Sequence, residues 1–182
     1  MIQTIGNQMK KMAALTGVLL VAAAEAMAQD KQAQATRRIV VSIPDRKLAL
    51  IESGKVVKIY QTAVGAPQSP SPTGSFKVIR LAVDPVWSSH GKVVGPGKAN
   101  PVGTRWIGLS IKGYGIHGTN VPSSIGKNAS HGCIRMRNRD VEELYAMLQV
   151  GDTVDLIGER TPELDQIFSE TAAVASDAVT AQ

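Results

Sequence analysis

The chain has 182 residues and a formal net charge of +5 at pH 7. That length suits one domain with a real core and is too short for two comfortable ones. One cysteine excludes an internal disulfide, and no Cys-x-x-Cys or His-x-x-x-His pairing supplies a metal centre, so neither metal nor other cofactor is expected.

Lys10 and Lys11 precede the apolar run Met12 to Ala24, and Ala26-Met27-Ala28 offers the small-x-small pattern that signal peptidase accepts. Residues 1–28 read as a removable signal peptide. The run is short for a ~20-residue span and carries Glu25 near its end, so no stable membrane span is expected after cleavage. Residues 29–37 read as a linker. Residues 29–158 hold 17 Lys/Arg against 9 Asp/Glu, whereas residues 159–182 hold Arg160 against five acids. A basic exported body suits an anionic polymer such as peptidoglycan, and export removes most of the nucleic-acid option.

From Arg38 onward, short β-type runs alternate with turn residues: Ile39 to Ile43, Leu48 to Glu52, Val56 to Val64 and Ser75 to Ala82. Pro44-Asp45 separates the first pair, and Ser53-Gly54 suits a tight hairpin because Gly accepts a positive φ. Residues 65–74 contain three prolines and two glycines and read as an ordered loop or flap. A second Gly/Pro-rich loop runs from Ser88 to Gly103, with Trp87 at its edge. Strands resume at Arg105 to Ile111, Gly115 to His117 and Cys133 to Met136, and the last runs from Thr153 to Ile157. One helix is clear, over about 138–149. Val141, Leu144, Tyr145 and Leu148 form its apolar stripe, Asp140, Glu142 and Glu143 are read into its first turn, Asn138 reads as its N-cap and Gly151 as its stop. The expected fold is mainly β, a single mixed β-sandwich-like domain over residues 38–158. Leu164, Ile167 and Phe168 have weak helical spacing within an acidic, partly disordered tail, 159–182.

Two of the three histidines and the cysteine fall in one window, Ile116-His117-Gly118-Thr119-Asn120 and Ser130-His131-Gly132-Cys133-Ile134-Arg135-Met136. A lone thiol in an oxidising compartment is a liability unless it is used. A protonated thiol is a poor nucleophile, and His117 or His131 can raise its thiolate fraction, with Arg135 adding positive charge. Gly132 lets backbone N–H groups approach a developing oxyanion. A His/His/Cys metal site lacks a fourth ligand.

These residues resemble the L,D-transpeptidase (YkuD-type) catalytic domain family, marked by a His-Gly element followed by Ser-His-Gly-Cys. The resemblance covers roughly residues 38–158 and includes Ser71-Pro72-Thr73-Gly74 and Arg135-Met136-Arg137-Asn138. It implies that Cys133 attacks the carbonyl of the third, diaminopimelate residue of a peptidoglycan tetrapeptide stem and releases the fourth, D-residue. An amine then resolves the thioester, forming a crosslink or attaching a wall-linked outer-membrane protein or lipoprotein. Water or a free D-amino acid as acceptor would instead give a carboxypeptidase, an exchange enzyme or a hydrolase. By the family pattern His117 is the base, oriented by the Gly118 carbonyl; His131 is the second histidine; and amides around Gly132 and Cys133 form the oxyanion hole. Arg135 stands where many relatives have Asn and is expected to bind a substrate carboxylate or to form a structural salt bridge. A periplasmic location and sensitivity to carbapenems are implied as well. Tyr114 either lines the cleft or packs on a strand, and Trp87 either stacks on substrate or packs. Ser130, Thr119 and Asn120 read as loop-tying residues ahead of substrate contacts, and His90 as a surface residue. A non-catalytic wall-binding module is disfavoured, because binding alone requires no thiol.

Overall fold

Two near-continuous apolar runs start the domain, β1 (Arg37–Ser42) and β2 (Lys47–Glu52). Strands of this kind are buried on both faces. Ile39, Val41, Leu48 and Leu50 enter the main core, while Val40, Ala49 and Ile51 enter a second, smaller one behind it. The computed structural model describes residues 37–89 and 91–169. The expected signal peptide, the linker up to residue 36, His90 and residues 170–182 lie outside the described residues.

Ser53 and Gly54 both take positive φ, 49° and 79°, and turn the chain tightly from β2 into β3 (Lys55–Gln61). A two-residue strand, β4 (Val64–Gly65), leads into the proline-rich loop, and β5 (Gly74–Val83) follows. The stretch expected to be a loop from Ser88 contains a short hairpin, β6 (Trp87–Ser89) and β7 (Lys92–Val94). Beyond it, buried Asn100 organises the chain: its Nδ2 donates to the carbonyls of Pro85 (2.6 Å) and Gly95 (3.1 Å), and its Oδ1 accepts from the Val102 amide (3.0 Å). Strands β8 (Arg105–Leu109), β9 (Gly115–His117), β10 (Asn128–Ser130), β11 (Ile134–Arg135) and β12 (Thr153–Ile157) complete the set.

Eight of these strands form one mixed sheet in the order β11-β9-β8-β5-β12-β1-β2-β3. β1 runs parallel to β12 and β11 parallel to β9; the remaining neighbours are antiparallel. The sheet curls until its edges meet, because Ala63, just past β3, exchanges two 2.8 Å backbone hydrogen bonds with Arg135 of β11. β4 pairs with β10 beside this junction.

Helix α1 (Asn138–Met147) buries Val141 and Leu144 in the main core, as its stripe predicts. Both of its ends differ from expectation. Arg137 occupies the N-cap and no side chain caps the helix; the Asn138 carboxamide is engaged elsewhere. At the other end Leu148 is the C-cap, and Gly151 (φ 104°) belongs to the following turn, where its amide bonds Val78. A second helix, α2 (162–169), begins at Thr161, whose Oγ1 accepts from the Leu164 amide (3.3 Å), with Pro162 in its first turn. It lays Leu164 and Ile167 against Val40, Ala49 and Ile51, so the folded body runs past the expected boundary at residue 158. Among the described residues the fold is mainly β with two α-helices, and no helix there is long and apolar enough to cross a membrane.

Candidate active site

Register places the candidate chemistry on one face. β9 and β11 pair with Ile116 opposite Ile134 and His117 opposite Arg135. Side chains alternate along a strand, so the fully buried Ile116 and Ile134 point into the core while His117, Cys133 and Arg135 share the opposite face. The core therefore holds the floor on which the site stands.

His117 is only 4 % exposed. Its Nδ1 lies 2.6 Å from the carbonyl oxygen of Gly118. A carbonyl can only accept, so Nδ1 carries the proton and Nε2 keeps its lone pair. Burial chiefly, with the nearby Arg135 charge, lowers the His117 pKa to about 4 against the opposing pull of the Gly118 carbonyl. Near neutral pH the ring is an uncharged Nδ1–H imidazole. Trp106, paired with His117 across β8 and β9, stacks on it with centroids 5.5 Å apart and planes 19° from parallel. That indole overlies two glycines, since a Cβ on Gly115 would come within 2.7 Å of its ring and one on Gly108 within 3.0 Å.

Cys133 follows a tight turn built by Ser130. The buried Ser130 Oγ donates to the Cys133 carbonyl (2.6 Å) and accepts from the Gly132 amide (3.0 Å). Gly132 sits at φ 104°, and a Cβ there would come within 2.7 Å of the Tyr114 ring. Glycine is required on both counts. The proline-rich loop braces this turn through Ala66 N–H to Ser130 O (2.9 Å) and Ser69 Oγ to the same oxygen (3.2 Å), and Ser71 Oγ accepts from the Gly65 amide inside the loop (2.9 Å). The Cys133 thiol is half-buried, with Sγ 3.7 Å from the Gly113 carbonyl. Burial pushes the thiol pKa up, only partly offset by the Gly115 backbone and by Arg135. The resting pair is thus a neutral thiol and a neutral imidazole, not a preformed thiolate.

Arg135 forms no ion pair among the described residues. Of the two roles read for it, the salt bridge is therefore absent. Its backbone closes the sheet onto Ala63. Tyr114 borders the Cys133 turn through Gly132. His131 is exposed at the same turn. Thr119 and Asn120 tie the loop after His117: Thr119 Oγ1 accepts from Val121 N–H (3.1 Å), and Asn120 Nδ2 donates to Ala99 O (3.1 Å). Trp87 lies in the β6–β7 hairpin, and no described contact joins it to His117 or Cys133. The Gly132 amide, expected in an oxyanion hole, is occupied by Ser130.

Sequence reasoning missed Trp106 and the glycines beneath it. The available signal was alternation: Ile107 and Leu109 facing the core force Trp106 onto the His117 face. It also missed the true partner of Asn138, whose Oδ1 accepts the Thr119 amide at 3.0 Å.

The family model for the YkuD-type L,D-transpeptidase catalytic domain matches residues 36–156. Bacillus licheniformis YkuD is 42% identical over 119 residues, 65% of this chain and 64% of that protein. Bacillus subtilis YqjB is 37% identical over 141 residues, 75% of this chain and 79% of that one. Both bear L,D-transpeptidase names, and this chain spans just under two thirds of the first. Among solved structures, an L,D-transpeptidase from Mycobacterium smegmatis superposes with a TM-score of 0.59 at 20% identity, covering 68% of this chain and 59% of that one, a likeness of fold. With the family match spanning most of the folded body, the chain belongs to the L,D-transpeptidase catalytic domain family.

Proposed function

We propose that the protein is a peptidoglycan L,D-transpeptidase that works through an acyl-enzyme on Cys133. The observation that carries this is the neutral, Nδ1-protonated His117 on the same face as the lone thiol, since its free Nε2 is the lone pair a general base needs. Nε2 takes the Sγ proton as sulfur attacks the diaminopimelate carbonyl of a tetrapeptide stem. The tetrahedral oxyanion collapses, the C–N bond to the D-residue breaks, and the imidazolium returns its proton to the leaving amine. An acceptor amine then attacks the thioester with His117 taking its proton; the C–S bond breaks and the imidazolium passes that proton to the leaving sulfur, which regenerates the thiol.

The remaining assignments follow from charge and hydrogen bonding. With the Gly132 amide taken by Ser130, the amides of His131 and Cys133 are the donors offered to the oxyanion. The guanidinium of Arg135, free of ion pairs among the described residues, suits a stem carboxylate. Tyr114 lines the cleft, and exposed His131 contacts substrate. Residues 1–28, read as an export signal, support a periplasmic site of action on the wall, with wall-linked protein as one acceptor.

Mass spectrometry tests the proposal. Incubation with a diaminopimelate tetrapeptide, or with a carbapenem, is expected to add one acyl group to Cys133 and none to Cys133→Ala. Turnover by Cys133→Ala would overturn it. Supplying amine acceptors then separates crosslinking from hydrolysis by the product formed.

A further inference from the structure

We infer that Asn138 is a positioning residue that sets the tautomer of His117 by fixing the peptide plane between Gly118 and Thr119. The Gly118 carbonyl and the Thr119 amide belong to one planar unit and point in opposite directions. On one side the carbonyl accepts the His117 Nδ1 proton at 2.6 Å; on the other the amide donates to Asn138 Oδ1 at 3.0 Å. If this plane turned over, an N–H would face Nδ1. The ring would then keep its lone pair on Nδ1 and carry its proton on Nε2, the tautomer unable to accept a proton there. The carboxamide holds the plane in the orientation that leaves Nε2 free.

Three further features show that the contact is built in. Asn138 is the first residue of α1, one position past the Arg137 N-cap, and its carboxamide caps no helix amide. Its acceptor is turned to the loop instead. Gly103 and Gly118, from two separate segments, flank the carboxamide, and a Cβ on either would overlap Asn138 Oδ1. Gly103 also holds φ 64°, which favours glycine independently. Finally, α1 is anchored by fully buried Val141 and Leu144, so the clamp is referred to the core and not to a mobile loop.

The inference rests on His117 acting as the base, and the two are tested apart. Nitrogen-15 spectra of the imidazoles in substrate-free Cys133→Ala protein report the His117 tautomer without any turnover. With Asn138 present, a single Nδ1–H form is expected. Adding N138A is expected to populate the Nε2–H form, and N138D, which keeps an acceptor oxygen, to restore Nδ1–H. In the protein with Cys133, N138A is expected to slow acylation about 10- to 100-fold, a cost typical of a misplaced reacting group, and N138D to recover most of it. A folded N138A protein with an unchanged tautomer overturns the inference while leaving His117 as the base. Loss of His117-dependent acylation as a premise would leave the tautomer shift intact. Should N138A fail to fold, amide exchange in the unaltered protein decides: protection at Thr119 supports the clamp, and free exchange there overturns it.

Discussion

Burial of a neutral imidazole has a stability consequence that acid exposes. His117 moves from an ordinary 6.5 in the unfolded chain to about 4 in the fold, chiefly through desolvation. Between those values the unfolded chain binds a proton that the native state refuses, so falling pH favours unfolding. The contribution is complete above pH 6.5 and is lost as pH falls towards 4. At about 1.4 kcal/mol per pKa unit, the loss is about 3 kcal/mol. Denaturant unfolding of the wild type and of His117→Gln, each at several pH values from about 7.5 to about 4, isolates it, because other titrating groups are common to both and cancel in the difference. The stability difference between the two proteins is expected to shrink by about 3 kcal/mol towards acid. A flat difference would refute the reasoning, since His117 would then titrate as it does in the unfolded chain. The same low pKa predicts that acylation holds its rate down to about pH 5, with the acid limb set by imidazole protonation.

Other outcomes follow from packing. Gly115→Ala drives a methyl to within 2.7 Å of the Trp106 indole, displacing it from His117; a rise in the His117 pKa by NMR and a roughly tenfold or greater fall in acylation are expected. Truncation after Gly158 removes Leu164 and Ile167, each less than 10 % exposed, from the second core. It should cost about 3 kcal/mol or more, read from the denaturant midpoint; unaltered stability would mean that α2 contributes nothing to the fold. Ile134→Ala opens a hole beneath the Cys133 strand and should destabilise by about 2–5 kcal/mol with loss of acylation.

Local chemistry was the legible part of this chain. His117, Ser130, Gly132 and Cys133 act largely through neighbours in sequence, and Ser53-Gly54 forms the hairpin its φ freedom suits. What escaped reading depends on partners far along the chain. Trp106 matters because pairing sets it against His117 and over Gly115, and Asn138 because β9 ends beside the start of α1. A local rule made Asn138 a helix cap, whereas Arg137 takes that position and the Asn138 oxygen accepts from the distant Thr119 amide. The β6–β7 hairpin was hidden because three-residue strands between glycines carry too little pattern. Helix α2 was visible as weak spacing, with a Thr161-Pro162 start that went unused. Its docking was implied by β1 and β2, whose unbroken apolar runs need cover on both faces.

The junction of Ala63 with Arg135 also bears on how an active molecule comes into being. The strand next to the thiol is two residues long and pairs on one side with a segment 18 positions earlier, on the other with one 72 positions earlier. Contacts of such long sequence separation form late, after the entropy of closing the loop has been met. A partly folded chain can therefore hold β1, β2 and β3 before the strands bearing His117 and Arg135 are brought into register. Once the seam closes, two strand edges that would otherwise recruit foreign strands are occupied by each other. The pairing beside Cys133 thus belongs with the long-range contacts of the fold, and the same two hydrogen bonds leave neither strand edge open at the seam.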